Sequence, residues 1–455
     1  MTKNIADNTK MAFLVLAGAV GAVMIAFLTV PFGFWVPVAL LLLVGAYYAF
    51  RSTKALFFTA LVLVVFGQVA RIPPGGSGGD FLLLDVVTGL FFGAWLLWWL
   101  IERKFTFYTM AIVAWIGFLL IAAISLFGNP LGLARSDILR NGFYLFRLVA
   151  YSSVVWIVPT LFQGKENAER LKKWLINIGM ALVLIGFLQL RVFPNIGILS
   201  RFGWDPHVGR LVSTFLDPNF LGGFFAVLLA IVLGTSRQEG KKFPWLYTLL
   251  ILVATILTYS RSGYLAVGVT VLVFGLLYSR RLLLVAILCT VPFVLFVPRI
   301  SQRVQGGFSV DATAADRIAS WKNAIVISSR YPLLGVGYNS YGQAQTLLGL
   351  APWNNSSRAS AGSDSSLLNI YATTGWIGIT LFFTAILLFL NDCFNKLNRG
   401  LQKSPQAGAA LSVLLLTPGL FVSAFFVNAY FYPFIFLVVA TLLGIVYIPD
   451  SRTKN

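Results

Sequence analysis

Three arginines and one aspartate carry most of the chemistry this chain can offer. Arg210 stands in Gly209-Arg210-Leu211-Val212-Ser213-Thr214-Phe215-Leu216-Asp217-Pro218-Asn219, Arg261 in Thr258-Tyr259-Ser260-Arg261-Ser262-Gly263-Tyr264, and Arg317 in Asp316-Arg317-Ile318-Ala319-Ser320-Trp321. Asp364 follows in Ser363-Asp364-Ser365-Ser366. A guanidinium is a planar fork of N–H donors that matches phosphate oxygens, whereas a lysine is a hydrated point charge. Arginines set beside helix starts therefore describe a receptor for an anion. A carboxylate beside them, Asp364, could accept a proton, and His207, the one histidine of the chain, is the second candidate for that role. With a single histidine and two distant cysteines, Cys289 and Cys393, the sequence predicts neither a metal site nor a disulfide.

The elements that position these groups are membrane helices. A chain of 455 residues that is 58% hydrophobic and 11% charged, with a mean hydropathy of +0.85, has too few polar groups to cover a soluble surface. Apolar runs of roughly 17–25 residues, the length that crosses the bilayer, predict an all-α polytopic protein of about 14 transmembrane helices, with 12 as the alternative count. The run at 11–30 is long enough to span and lacks a small-x-small cleavage site, so it reads as the first helix rather than a signal peptide. The expected organisation is a bundle of eleven helices over 1–297, an outer loop with amphipathic helices over 298–365, and three helices over 366–455.

The net charge of +19 is scattered in short runs between apolar segments, which is a topology signal and not a nucleic-acid patch. With both termini in the cytoplasm, 20 basic residues fall on inner connections and 13 on outer ones. Twelve of the outer 13 are arginine, whereas 12 of the inner 20 are lysine. The outer face is thus the one equipped to hold an anion; the alternative is that these arginines pair with lipid head groups.

Local patterns set further expectations. Asp217 should cap a helix beginning at Pro218, with Arg210 directed at an anion or paired to Asp205 or Asp217. Arg261 sits in a tight turn that needs no charge, so its expected partner is Asp364 or a ligand phosphate. The pattern from Asp311 should start an amphipathic helix with Ile318, Trp321, Ile325 and Ser328 on one face, ended by Pro332. That helix would lie over the bundle as a lid, with Arg317 directed at a cavity beneath it or incidental to apolar contacts. Asp364 should cap the next helix. Arg147 and Asp85, both inside apolar runs, could pair with each other, and 163–173 reads as a short surface helix. The sequence shows neither inverted repeats nor broken helices, which speaks against a secondary transporter or lipid-linked-sugar flippase.

Arg210 with Asp217-Pro218-Asn219, the Ser260-Arg261-Ser262-Gly263-Tyr264 turn, and the run from Arg317 and Trp321 through Pro332-Leu333-Leu334-Gly335-Val336-Gly337-Tyr338 and Asp364 to Gly375-Trp376-Ile377-Gly378 together resemble the O-antigen ligase and polymerase superfamily. The resemblance spans roughly 201–380. It implies a membrane glycosyltransferase of the GT-C type in the bacterial cytoplasmic membrane, with its active site on the outer face. The implied donor is a glycan on an undecaprenyl pyrophosphate carrier, and the acceptor is another lipid-linked glycan or a lipid A core; no cofactor, metal or nucleotide is required. The implied pyrophosphate ligands are Arg210, Arg261 and Arg317. Asp364 is the candidate catalytic carboxylate, with His207 as the other candidate base, and Asp217, Asn219, Trp321, Tyr338 and His207 are the candidate substrate-binding residues. Ligases of this family carry a histidine near the end of the outer loop, and here no histidine lies between 298 and 455. That departure favours a polymerase, with a ligase as the alternative.

Overall fold

A computed structural model describes residues 52–72, 81–102, 109–202, 204–238, 240, 242–281, 283–284, 287–288, 312–350, 363–398 and 403–449. The chain divides into two compact units, Met1–Thr106 and Phe107–Asn455. In the first, helix α1 (Thr53–Phe66) is followed by a two-stranded antiparallel ribbon, β1 (Arg71–Ile72) and β2 (Phe81–Leu82), and by α2 (Leu83–Glu102). Ser52 caps α1 by accepting from the Ala55 N–H, and the Asp85 carboxylate accepts from the Leu82 N–H at 2.9 Å at the start of its own helix.

The second unit contains α3 (Met110–Phe127), α4 (Arg135–Leu161), α5 (Lys165–Val192), α6 (Pro218–Gln238), α7 (Trp245–Thr258), α8 (Arg261–Tyr278), α9 (Ala312–Arg330), α10 (Tyr341–Leu347), α11 (Ser366–Asn398), α12 (Pro405–Ser423) and α13 (Pro433–Val446). Among the described residues of the whole chain, 9 helices are long and apolar enough to cross a membrane, and α7 and α13 are shorter apolar helices. The protein is a polytopic membrane protein. The expected spans centred on Ala22 and Leu42 lie outside the described residues, and the one centred on Ile287 does so for most of its length.

The most deeply buried helix is α6, and small residues are what allow this. A Cβ at Gly222 would come within 2.8 Å of the Gly263 Cα in α8, and one at Gly234 within 2.5 Å of the Ser412 hydroxyl in α12. Because lipid is as apolar as leucine, such close backbone approach, with its dispersion contacts, is what drives membrane helices together. Two sequence expectations are corrected. Residues 163–173 are not a separate surface helix: from Lys165 they are the first turns of α5, with Lys172 buried and 3.0 Å from Glu169. Long lysine stems can be buried in this way when the charged head finds a partner.

The second correction concerns α11, which is broken at Gly375 (φ 66°, ψ −168°), a conformation open essentially only to glycine. The loop after α9 fills the break. Val336 and Gly337 donate to the Ala372 and Thr373 carbonyls at 3.1 Å, and Trp376 and Ile377 donate to the Pro332 and Leu333 carbonyls at 2.7 and 3.3 Å. Freed backbone groups near a membrane must be satisfied by protein, and residues 332–337 do that. Residues 376–398 are about 34 Å long at 1.5 Å per residue, enough to span alone. The break therefore stands at one end of the bundle and not at its midplane.

That end gathers the site. The N-termini of α4, α6, α8 and α11 and the C-termini of α3, α5, α7 and α12 meet there, tied by bonds such as Leu211 N–H to the Leu257 carbonyl (2.8 Å) and Ser366 N–H to the Ala424 carbonyl (2.8 Å).

Candidate functional site

The first group of side chains is built on the starts of α6 and α8. Asp217 Oδ1 accepts from the Asn219 N–H (2.7 Å) and the Phe220 N–H (3.3 Å), capping α6 as expected, with Pro218 as its first residue. The Asn219 Oδ1 accepts from the Ser260 hydroxyl at 2.8 Å. Ser260 in turn caps α8 by accepting from the Gly263 N–H at 3.2 Å, and its oxygen lies 3.1 Å from the Ser262 hydroxyl. Since the Ser260 proton goes to Asn219, Ser262 is the donor in that pair. With Gly222 and Gly263 in backbone contact, the first turns of two helices stand side by side. At α6 the Asp217 side chain and carbonyl take the Asn219, Phe220 and Leu221 N–H groups, so the positive helix end that remains is that of α8, whose first residue is Arg261.

Arg210 organises the turn that presents Arg261. Its Nε donates to the Thr258 carbonyl (2.8 Å) and an Nη to the Tyr259 carbonyl (3.1 Å), the electronegative end of α7. Tyr259 is left-handed (φ 50°), as are Ser213 (φ 49°) and Leu216 (φ 54°) in the segment that leads to α6. That segment is held by Gln189, whose Oε1 accepts from the Val212 and Ser213 N–H groups at 3.0 and 3.3 Å. Non-glycine residues with positive φ cost about 1–3 kcal/mol each and persist where surroundings over-determine them. His207 lies in the loop entering Arg210, half-buried, with its carbonyl accepting from the Ile196 N–H at 3.1 Å.

The second group lies on α9. The helix forms as expected, but its buried face is Ser320, Ala324, Ile327 and Ser328; Ile318 and Ile325 are 38% and 56% exposed, which corrects the predicted face. Small residues let α9 approach residues 336–344 and Ala372, with which Ala324 and Ile327 share a cluster. The Ser320 carbonyl accepts from the Tyr341 hydroxyl (2.8 Å) and the Ser320 hydroxyl from the Asp364 N–H (3.3 Å). Arg317, half-exposed, is one turn before Ser320 and so on the same side of α9. The Trp321 ring is 6.0 Å from that of Phe426, and its buried Nε1 has no hydrogen-bond partner among the described residues. Asp364 is not the cap of α11; Ser365 is, through its hydroxyl to the Leu368 N–H at 3.4 Å. The Asp364 backbone is turned toward α9 instead. Burial, reinforced by the nearby Asp364 and opposed by the hydrogen bond with Ser320, pushes the Tyr341 hydroxyl up to about 12, which keeps it a neutral donor.

The third group was not legible as a group. Tyr338 does not join Trp321 and Arg317; it docks against α3 and α4. The Tyr338 N–H donates to the Ser125 hydroxyl (3.2 Å), Asn339 donates to the Asn141 Oδ1 (3.1 Å), and the fully buried Asn141 donates to the Ser340 hydroxyl (2.9 Å). A cavity of about 220 Å³ opens beside them, lined by Arg147, Tyr338, Asn339, Asn369 and Asn428 together with the ring pair Phe220–Tyr432, stacked at 3.9 Å. The Arg147 guanidinium lies 5.8 and 5.9 Å from the Tyr144 and Tyr151 ring centres, within cation–π range. Burial raises the Tyr338 hydroxyl well above its ordinary range, partly offset by Arg147. An arginine inside an apolar run was a signal for this site; Asn369 and Asn428 gave none.

Residues 246–383 match the family profile described as O-Antigen ligase. This segment is an O-antigen ligase family domain. It runs from α7 through the break in α11 and contains Arg261, Arg317, Trp321, Tyr338 and Asp364. Arg210, Asp217, Asn219 and His207 precede it, although the resemblance was expected to begin near residue 201. The O-antigen ligase domain is nonetheless joined to them by the bonds from Arg210 to Thr258 and Tyr259 and from Ser260 to Asn219. Among curated proteins, the chain has no significant match.

Proposed function

We propose that the protein is a glycosyltransferase that extends a polysaccharide from a donor glycan carried on a lipid pyrophosphate, with the site end of the bundle facing the outer leaflet. The observation that carries this reading is the side-by-side start of α6 and α8 with Arg261 at their junction, inside the O-antigen ligase domain. In the transfer, the bond from the anomeric carbon to the pyrophosphate oxygen breaks, and an acceptor hydroxyl oxygen bonds to that carbon. Negative charge grows on the departing pyrophosphate, and Arg261 at the positive start of α8 is in place to offset it, so little reorganisation is required. Arg317 adds a second guanidinium from α9. Arg210 acts as a positioning residue that holds the Thr258–Tyr259 turn. Asp364, fixed to α9 through Ser320, accepts the acceptor's proton. In this reading 312–350 and 363–365 form the lid over the site, against the bundle helices on either side of it.

The test is product formation by the purified full chain from a lipid-pyrophosphate-linked glycan without an ion gradient. Wild type should lengthen lipid-linked glycans, and Arg261→Ala should slow this about 100- to 1000-fold while melting at the same temperature. Lengthening at the same rate by Arg261→Ala would remove the anion role. Transfer only to a lipid A core would identify a ligase, the reading the domain's family description favours, and gradient-dependent movement of intact lipid would identify a transporter.

A further inference from the structure

The cavity beside Arg147 is not needed for leaving-group stabilisation, yet its wall is shared with the parts that do that work. Phe220 lines it from the first turn of α6, next to Asn219, which accepts from Ser260. Asn369 lines it from the first turn of α11, and its Oδ1 accepts from the Ser363 N–H (3.5 Å), one residue before Asp364. The cavity thus adjoins both the cationic turn and the segment that carries the carboxylate.

We propose that this cavity is a saccharide subsite that takes one hexose-sized unit of the glycan, an assignment that rests on the transferase reading for the class of its ligand. Its volume of about 220 Å³ equals roughly seven waters at about 30 Å³ each and falls below the ~300–1,000 Å³ of sites for larger ligands. One sugar ring fits. The walls suit a polyol. The amides of Asn339, Asn369 and Asn428 offer donors and acceptors together, Tyr338 adds a hydroxyl, and the Phe220–Tyr432 pair adds an apolar surface for C–H groups. The Asn428 Oδ1 is buried with no hydrogen-bond partner among the described residues. That oxygen has almost no accessible surface as the side chain stands, so a turn of the Asn428 amide is what would bring it to a sugar hydroxyl in the cavity. Asn339 is held in a left-handed conformation (φ 61°) by its bond to Asn141, so its part of the wall is set in advance.

Saturation-transfer NMR on the detergent-solubilised full chain tests this with four free sugars offered singly: glucose, galactose, N-acetylglucosamine and rhamnose. At least one should saturate with wild type, and its signal should fall about tenfold in Asn428→Ala, with the binding of inorganic pyrophosphate unchanged. Asn369→Ala, on a different element, should do the same and stands in if Asn428→Ala does not fold. No saturation by any of the four, or equal saturation in both variants, overturns the proposal. Displacement of the sugar by inorganic phosphate also overturns it and assigns an anion to the cavity. Sugar binding by a chain that binds no pyrophosphate would break the transferase reading and leave this subsite standing.

Discussion

The Arg210–Arg261 network and the Arg147–Tyr338 cavity stand at one end of the same unit, yet they are assembled in opposite ways. The network comes from two short runs, 209–222 and 258–264, each a turn followed by a capped helix; its capping bonds are local, and the bonds from Ser260 to Asn219 and from Arg210 to Thr258 and Tyr259 join the two runs. The cavity draws its lining from α4, α6, α11, α13, the loop after α9 and the loop before α13. A charge receptor can be made from helix starts, because the end of a helix already concentrates N–H groups. A cavity that measures a ring has to be enclosed from several sides. Both keep strained backbone: among the described residues, 4 of the 5 non-glycine residues with positive φ, Ser213, Leu216, Tyr259 and Asn339, belong to one or the other.

Four substitutions separate the two regions, in descending order of effect. Arg261→Ala should cost about 100- to 1000-fold in transfer and abolish pyrophosphate binding by calorimetry, with sugar saturation retained; loss of both would merge the two regions into one site. Gly375→Ala should destabilise the fold by about 3 kcal/mol, since its new Cβ would strike the Leu333 carbonyl at a backbone angle closed to alanine. In whatever fraction folds, displacement of 332–337 should weaken sugar binding and leave pyrophosphate binding intact, read by the same two assays. Gly263→Ala should cost about 1–3 kcal/mol of thermal stability by forcing α8 from Gly222. It should weaken pyrophosphate binding and spare the sugar; an unchanged melting temperature would show that the two helix starts are not in backbone contact. Asn428→Ala is the mildest, raising KM for the lipid-linked glycan about tenfold, the worth of one buried hydrogen bond, at unchanged kcat.

Much of the first region was legible from composition and punctuation alone. Asp217-Pro218 predicted the start of α6, and the apolar runs predicted the helices that are described, because caps and hydrophobic length act locally. The faces of α9 were not legible: isoleucine spacing pointed to Ile318 and Ile325, whereas Ser320, Ala324 and Ile327 are inside, since close approach to 336–344 and Ala372 rewards small side chains. Nor was the break in α11. Gly375 is one glycine among 41, and only the loop that fills the gap identifies it as the residue with positive φ.

The sequence by itself determined a polytopic membrane protein and the cap of α6, because hydropathy and capping are properties of neighbouring residues. Only the tertiary structure decided that Arg210 is occupied with the end of α7, that Tyr338 belongs with Arg147 rather than with Trp321, and that three asparagines from separate elements share one cavity. Those facts depend on contacts between segments as far apart as Asn141 and Asn339, and no local pattern of residues records which distant helix a side chain will meet.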